Sequence, residues 1–168
     1  VALKRLLNTM DKLSDEDEKY FVREINILSK TNSRFLLRLM GFSTTYPYCI
    51  ATEYIPNGSL YNAITGEPGA PKLNGTNLTI IACVCAIAIQ KLHINNIIHR
   101  DIKSINVLLD NELLPHICDF GISIVLENRV GVGPRVNDGK ALTSNVGTPS
   151  WMAPELFDEG GYDRSEEH

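Results

Sequence analysis

The sequence contains few cysteines, and their spacing excludes two classes of protein. Four occur in 168 residues, and none of them forms a C-x-x-C pair, since they stand at Cys49, Cys83, Cys85 and Cys118. The chain therefore carries neither the cysteine framework of a small secreted protein nor the usual signature of a zinc site. We expect four reduced, structural thiols in a cytoplasmic protein.

The sequence also lacks an excess of positive charge and a run long enough to cross a membrane. Its formal net charge is -4 and its basic residues are scattered, so we expect no nucleic-acid partner. The longest apolar run, LTIIACVCAIAI at 78–89, is shorter than the about 20 residues that a bilayer requires. It predicts a helix at about 77–93 that is buried inside a globular domain and makes no membrane contact. Residues 1–20 are charged and predict no signal peptide.

What is present is the composition of a globular domain, 43% hydrophobic and 21% charged. Residues 1–7, VALKRLL, predict a strand. A helix is predicted over 14–30, because an acidic first turn follows a capping serine. Phe21 and Leu28 lie on one face of this helix, and Glu24 lies on the same face. A carboxylate in that position is costly unless a cation or hydrogen-bond donor pairs with it.

Turn residues divide the rest of the chain. Residues 35–42 and 48–55 predict two strands joined by a turn, and PNGS at 56–59 predicts a domain boundary or a hinge. Beyond it we expect a short helix at LYNAIT, the apolar helix, and a hairpin turning at Asp110-Asn111. The glycine-rich and polar residues 127–146 predict a long mobile loop.

The stretch HRDIKSIN at 99–106 holds polar groups of several kinds between two apolar runs. Asp101 and Asn106 flank a short loop, and Asp119 follows one hairpin later, so a closed hairpin would bring these side chains together. Two carboxylates and an amide carbonyl are the hard oxygen ligands that suit Mg²⁺ bound with phosphate. An aspartate beside them could accept a proton from a hydroxyl group, and Lys103 could offset phosphate charge.

These motifs together resemble the signature of the eukaryotic protein kinase family. VALK matches the strand-three lysine motif, Glu24 the helix-C glutamate, HRDIKSIN the catalytic loop, DFG the metal motif, and GTPSWMAPE the end of the activation segment. Each motif is weak alone, but five in the right order form a strong signal. The resemblance implies an α+β, two-lobed kinase fold, with a partial N-lobe at 1–55 and a partial C-lobe at 56–168.

The resemblance also implies roles for the polar residues. Lys4 would pair with Glu24 and contact the α- and β-phosphates of ATP. Asp101 would be the catalytic base that orients the substrate hydroxyl. The catalytic set would also include Lys103 and Asn106, and Mg²⁺ ions would be held by Asn106 and Asp119.

The nucleotide pocket is implied in the same way. Thr52 resembles the gatekeeper, and Glu53 to Ile55 resemble the hinge whose backbone would bond adenine. Ala2 and Leu108 resemble the residues that sandwich the adenine ring, although both could equally be ordinary core residues. Cys118, beside the metal motif, would face the nucleotide or remain a buried, inert thiol.

Two positions indicate the kind of kinase. Lys103 resembles the lysine that follows the base in serine/threonine kinases, and Thr148 resembles the threonine that supports it. KSIN with GTPSWMAPE resembles the tyrosine-kinase-like branch, whose members mostly phosphorylate serine or threonine of protein substrates in signalling. The alternatives are a pseudokinase or nucleotide-binding scaffold and a small-molecule phosphotransferase of similar fold.

The sequence departs from the family pattern at both ends. No glycine-rich phosphate loop precedes VALK, and GVG at 131–133 lies in the wrong place to serve as one. The chain stops soon after APE, so we expect a domain truncated at both ends and inactive alone. The parent protein could be a receptor with a cytoplasmic kinase domain.

Regulation is expected at the activation segment. Arg100, directly before the base, would place a cation beside this segment. A phosphate on Thr143 or Ser144, added by an upstream kinase or by autophosphorylation, would carry about -1.5 to -2 charge and could pair with it. Thr148 is a less favoured switch, because the resemblance gives it a supporting role.

Overall fold

A computed structural model describes residues 1–6, 13–129, 132–136 and 147–154, with backbone only for 127–129 and 132–136. A three-stranded antiparallel sheet forms from β1 (Ala2–Arg5), β2 (Leu39–Ser43) and β3 (Cys49–Thr52). Strand β3 lies in the centre, and Ile50 on it is opposite both Lys4 and Phe42. The strands predicted at 1–7, 35–42 and 48–55 are therefore present but shorter within the described residues.

Helix α1 (Asp15–Lys30) packs beside this sheet. Ser14 accepts a hydrogen bond from the Asp17 backbone N at 3.1 Å, and four acidic residues occupy the first turn, as its capping pattern predicts. Its buried face combines apolar side chains with one carboxylate: Phe21, Glu24, Ile25, Ile27 and Leu28. The predicted helix is thus confirmed, and Glu24 lies on its buried face.

The segment after α1 pairs with a hairpin far along the chain instead of extending β2. Strands β5 (Val107–Leu109) and β6 (Pro115–Ile117) form the predicted hairpin. The Leu37 backbone N donates to Ile117 O at 2.9 Å, and the Ile117 N donates to Phe35 O at 3.0 Å. Because residues 35–37 are engaged in this way, β2 begins only at Leu39.

Two further helices and a short strand precede the hairpin. Helix α2 (Leu60–Thr65) begins at a Ser59 cap, and α3 (Gly75–Ile94) begins at a capping box of Asn74 and Asn77. Strand β4 (Ile97–Ile98) is fully buried. The helix predicted at LYNAIT is confirmed in its position.

The long loop predicted at 127–146 is wrong in part. Strand β7 (Ile124–Arg129) pairs with β4 on one side and with β8 (Val132–Val136) on the other. Backbone pairing with β4 starts the strand before the polar region begins, and the ladder continues into it. Residues 130–131 and 137–146 lie outside the described part.

The burial predicted for α3 is also wrong for the part of the chain that the structure describes. The helix is long and apolar enough to cross a membrane by length and composition alone, a test that core helices of soluble proteins also pass. Only 17% of its most apolar stretch is buried. Ile81, Ala88 and Leu92 form one buried stripe, whereas Ile87 is 52% exposed, because the described neighbours β4 and β6 contact a single face.

One apolar cluster joins these elements. It includes side chains from α1, β3, α3, β4, β6 and the segment before β7, among them Leu28, Ile50, Leu92, Ile97 and Phe120. The residues that carry the polar site are therefore attached to a common core.

We predict that Leu92→Ala, at a fully buried position, lowers the free energy of unfolding by about 2–5 kcal/mol through lost burial and a residual cavity. The matched control is Ile94→Ala, two residues further on the same helix and 66% exposed, for which about 0.5 kcal/mol or less is expected. Urea unfolding followed by circular dichroism measures both. Equal losses would show that the buried stripe of α3 is wrongly placed.

Candidate active site

The buried glutamate of α1 is paired with the lysine of β1. Lys4 Nζ lies 2.8 Å from Glu24 Oε2 and 3.0 Å from Oε1. Lys4 Nζ also lies 3.6 Å from Asp119 Oδ1. Burial lowers the pKa of Lys4, but the charges and hydrogen bonds of Glu24 and Asp119 outweigh it, so the net pKa is raised. The lysine is therefore held as a cation between two carboxylates.

Asp101 is the centre of a second polar cluster. Its Oδ2 lies 2.7 Å from Lys103 Nζ and accepts from Asn106 Nδ2 at 2.9 Å. Its Oδ1 accepts from the Thr148 hydroxyl at 2.7 Å, and Lys103 Nζ donates to that hydroxyl at 2.6 Å. The structure thus brings together four residues that the sequence resemblance selected separately.

Opposing effects set the protonation of Asp101. Burial alone raises the pKa of the carboxyl, whereas hydrogen bonds from Lys103, Thr148 and Asn106, with the Lys103 charge, lower it. The hydrogen bonds and the Lys103 charge outweigh burial, so the pKa of Asp101 lies below its ordinary value. The group is an ionised acceptor at neutral pH.

Two residues of the site have left-handed backbone conformations. The φ angle is 68° at Arg100 and 65° at Asp119. Such angles are uncommon outside glycine and persist only where surrounding contacts impose them. Here Arg100 Nε donates to Ile122 O at 2.6 Å, which joins the two strained segments.

A buried histidine holds the same two segments together. The His99 ring Nε2 lies 3.0 Å from Cys118 O, and its Nδ1 accepts from the Asp101 backbone N at 3.2 Å. Both contacts are satisfied by the tautomer with the proton on Nε2. Ser123 Oγ donates to the His99 backbone O at 2.9 Å, a contact that no sequence motif indicated.

The two expected metal ligands each have an oxygen atom of the kind that Mg²⁺ binds. The Asn106 amide nitrogen donates to Asp101, which leaves the carbonyl Oδ1 as the available acceptor. The Asp119 side chain is 49% exposed, and the Cys118 backbone N donates to Asn106 O at 2.9 Å, which keeps the two segments adjacent. Mg²⁺ commonly takes one or two protein oxygens and completes its shell with water and phosphate. Asn106 and Asp119 fit that requirement.

The residues expected to contact adenine lie on two sheets. Ala2 pairs with Thr52 in the β1–β3 ladder, and Leu108 lies on β5. The Glu53 backbone N donates to Arg38 O at 3.0 Å, which ties the start of the Glu53–Ile55 segment to the residue before β2. Ala2 is close to Lys4 in sequence and Leu108 is close to Asn106. The nucleotide contacts of all these positions stay a prediction.

The predicted thiols can be compared with the structure, whereas the predicted phosphorylation sites cannot. Burial, followed by the Asp119 charge, raises the pKa of the Cys118 thiol to about 12, so it is protonated and a poor nucleophile at neutral pH. All four cysteines are free thiols, as expected. Thr143 and Ser144 lie outside the described residues.

Comparison with known proteins identifies the family. The protein kinase domain model matches residues 1–167, and the chain belongs to that family. It is 34% identical to the serine/threonine-protein kinase STY46 of Arabidopsis thaliana over 91% of the chain and 25% of that protein. It is 37% identical to wall-associated receptor kinase-like 21 of Arabidopsis thaliana over 95% of the chain and 25% of that protein.

A further relative comes from an animal. Mitogen-activated protein kinase kinase kinase 7 of Bos taurus is 30% identical over 89% of the chain and 24% of that protein. The chain thus spans about a quarter of the length of these three relatives. The family membership, the α+β kinase fold and the resemblance to serine/threonine kinases are confirmed.

We predict that Thr148→Ala raises the pKa of Asp101 towards its ordinary value, because it removes one of the hydrogen bonds that lower it. The depressed pKa contributes stability above the ordinary pKa, and that contribution is lost as pH falls through the folded value. In the variant this contribution should be smaller, and its loss should be complete at a higher pH than in the wild-type protein. Carboxyl titration by NMR measures the shift, with Thr148→Ser as the control that keeps a hydroxyl; an unchanged titration in the alanine variant would contradict the contact.

Proposed function

We propose that the protein transfers the γ-phosphate of ATP to serine or threonine hydroxyls of a protein substrate. The observation that carries this proposal is Lys4 Nζ, held by Glu24 at 2.8 Å and 3.6 Å from Asp119. A fixed cation beside a half-exposed carboxylate suits a nucleoside triphosphate bound with a divalent metal, since the cation can contact phosphate and the carboxylate can contact the metal. The kinase relatives support the same reaction.

The residues of the Asp101 cluster would handle the acceptor hydroxyl. The ionised Asp101 carboxylate would orient the hydroxyl and take its proton as the oxygen attacks the γ-phosphorus. The bond from the γ-phosphorus to the bridging oxygen breaks, and ADP leaves. Lys103, 2.7 Å from Asp101, would offset negative charge on the transferred group, while Thr148 keeps both side chains in place.

The remaining positions would bind the nucleotide and its metal. Mg²⁺ held by Asn106 and Asp119 would neutralise phosphate charge. The backbone of Glu53–Ile55, beside Thr52, would bond the adenine edge, and the ring would lie between Ala2 and Leu108. This assignment puts the boundary between the two lobes at residues 55 and 56. The four free thiols support a reducing, cytoplasmic setting for this segment.

We expect Lys4→Met and Asp119→Asn each to reduce phosphoryl transfer by about 100-fold or more in the full-length protein, since each removes charge that the reaction requires. Lys91→Met, which removes an exposed lysine of α3, is the control and should keep normal turnover. Transfer of radiolabelled phosphate from ATP to a generic protein substrate measures all three. Near-normal turnover of either active-site variant would overturn the roles assigned to Lys4 and Asp119, whereas no transfer by the wild-type protein would favour a nucleotide-binding scaffold.

The activation segment is the proposed regulatory element. Arg100 already contacts its start through Ile122 O. A phosphate on Thr143 or Ser144 would bring negative charge to the guanidinium and order the segment. The phosphate would come from an upstream kinase or from the protein itself.

We expect the double variant Thr143→Ala/Ser144→Ala to lose most of the activity of the phosphorylated protein, about tenfold or more. Mass spectrometry of active full-length protein should find phosphate on at least one of the two positions. The control is Thr45→Ala, an exposed threonine in the turn between β2 and β3. Full activity of the double variant, with neither site ever phosphorylated, would exclude this mechanism.

A further inference from the structure

The ring of His116 is buried between two carboxylates. His116 lies on β6 opposite Leu108 and is 7% exposed. Its Nε2 is 3.1 Å from Asp110 Oδ2, in the turn that follows β5. Its Nδ1 is 3.8 Å from Glu53 Oε1, directly after β3, and has no hydrogen-bond partner among the described residues. One side chain thus faces two segments that are distant in sequence.

Both carboxylates are held in place by other bonds. Glu53 Oε1 accepts from the Arg38 backbone N at 2.8 Å. Asp110 Oδ1 accepts from the backbone N of Glu112 and of Leu114, each at 2.9 Å. These bonds restrict both carboxylates, so any closer contact with Glu53 has to come from a movement of the ring.

A neutral imidazole cannot satisfy both carboxylates. With its proton on Nε2, the ring donates to Asp110 and presents a lone pair to Glu53. With its proton on Nδ1, the ring donates towards Glu53 and presents the lone pair to Asp110. Only a ring with two N–H groups donates in both directions. A buried polar atom without a partner is costly, so the arrangement favours a ring that closes the 3.8 Å gap to Glu53.

The two linked segments are those assigned to adenine binding. Glu53 begins the segment proposed to bond the adenine edge, and Leu108, opposite His116, is proposed to cover one face of the ring system. The Asn57 backbone N also donates to Leu109 O at 3.1 Å, so the segment is joined to the hairpin at a second point. The position of Glu53 relative to β5 therefore determines the width of the proposed pocket.

We propose that His116 is a positioning residue for nucleotide binding, which lies between Asp110 and Glu53 and so fixes Glu53 against the β5–β6 hairpin. The proposal rests on the proposed function, because it assumes that adenine lies between these segments. The residue acts through Glu53 and Leu108 and touches no reacting atom. It should therefore affect nucleotide affinity more than turnover.

The test compares three variants in the full-length protein, with the fluorescent nucleotide mant-ATP and Mg²⁺ as the probe. His116→Phe keeps a ring and removes both ring nitrogens; it should weaken mant-ATP binding about fivefold to twentyfold and raise KM for ATP similarly, with kcat within about twofold. His116→Lys supplies a cation with several donors and should restore most of the affinity. Ile117→Val, at the next, buried position of β6, lowers stability without removing a polar contact and should bind normally.

A double-mutant cycle with Glu53→Gln tests the contact itself. If His116 acts through Glu53, adding His116→Phe to Glu53→Gln should weaken binding by less than about twofold further. Independent, multiplicative losses would overturn the proposal, and so would unchanged affinity in His116→Phe or equal losses in His116→Phe and Ile117→Val. If the wild-type protein fails to bind mant-ATP, the proposed function fails and this inference fails with it.

Discussion

The burial of Glu24 is the constraint on which the rest of the site depends. A carboxylate on the apolar face of a helix is stable there only if a cation reaches it, and Lys4 does so from β1 at 2.8 Å. This contact places α1 against the first sheet. The same ammonium lies 3.6 Å from Asp119, at the other end of the polar site. The position of one helix thereby determines which carboxylates can share a cation.

The connection from α1 to Asp119 also runs through the backbone. Residues 35–37, soon after α1, pair with Ile117 on β6, and Asp119 follows two residues later. This link consists of main-chain hydrogen bonds, whereas the ion pair depends on the position of the Lys4 side chain. A shift of α1 would therefore be passed on to the segment of Asp119 as well as to Glu24.

The sequence predicted the contacts within the polar site better than the surroundings of the site. Lys4, Glu24 and Asp101 could be selected because they match family motifs, and the structure shows the ion pair and the polar cluster that they form. The exposure of α3 could not be predicted in this way. An apolar run indicates that the helix packs against other elements, but it does not show which of the described elements cover it. Strand β8 was missed because ladder pairing depends on the register of β7, and glycine-rich stretches carry little local signal. Nothing local to the stretch PHI indicates that the ring of His116 faces Glu53.

The Lys4–Glu24 pair contributes geometry more than stability. The Lys4 side chain is 52% exposed and that of Glu24 is 11% exposed, so water screens part of the attraction while the glutamate is still largely desolvated. Pairs of this kind add little to the free energy of unfolding. An apolar pair of similar size would pack as well, yet it could not present a cation to Asp119. The polar pair is therefore best explained by the position it gives to a positive charge, which is the property that phosphate binding requires.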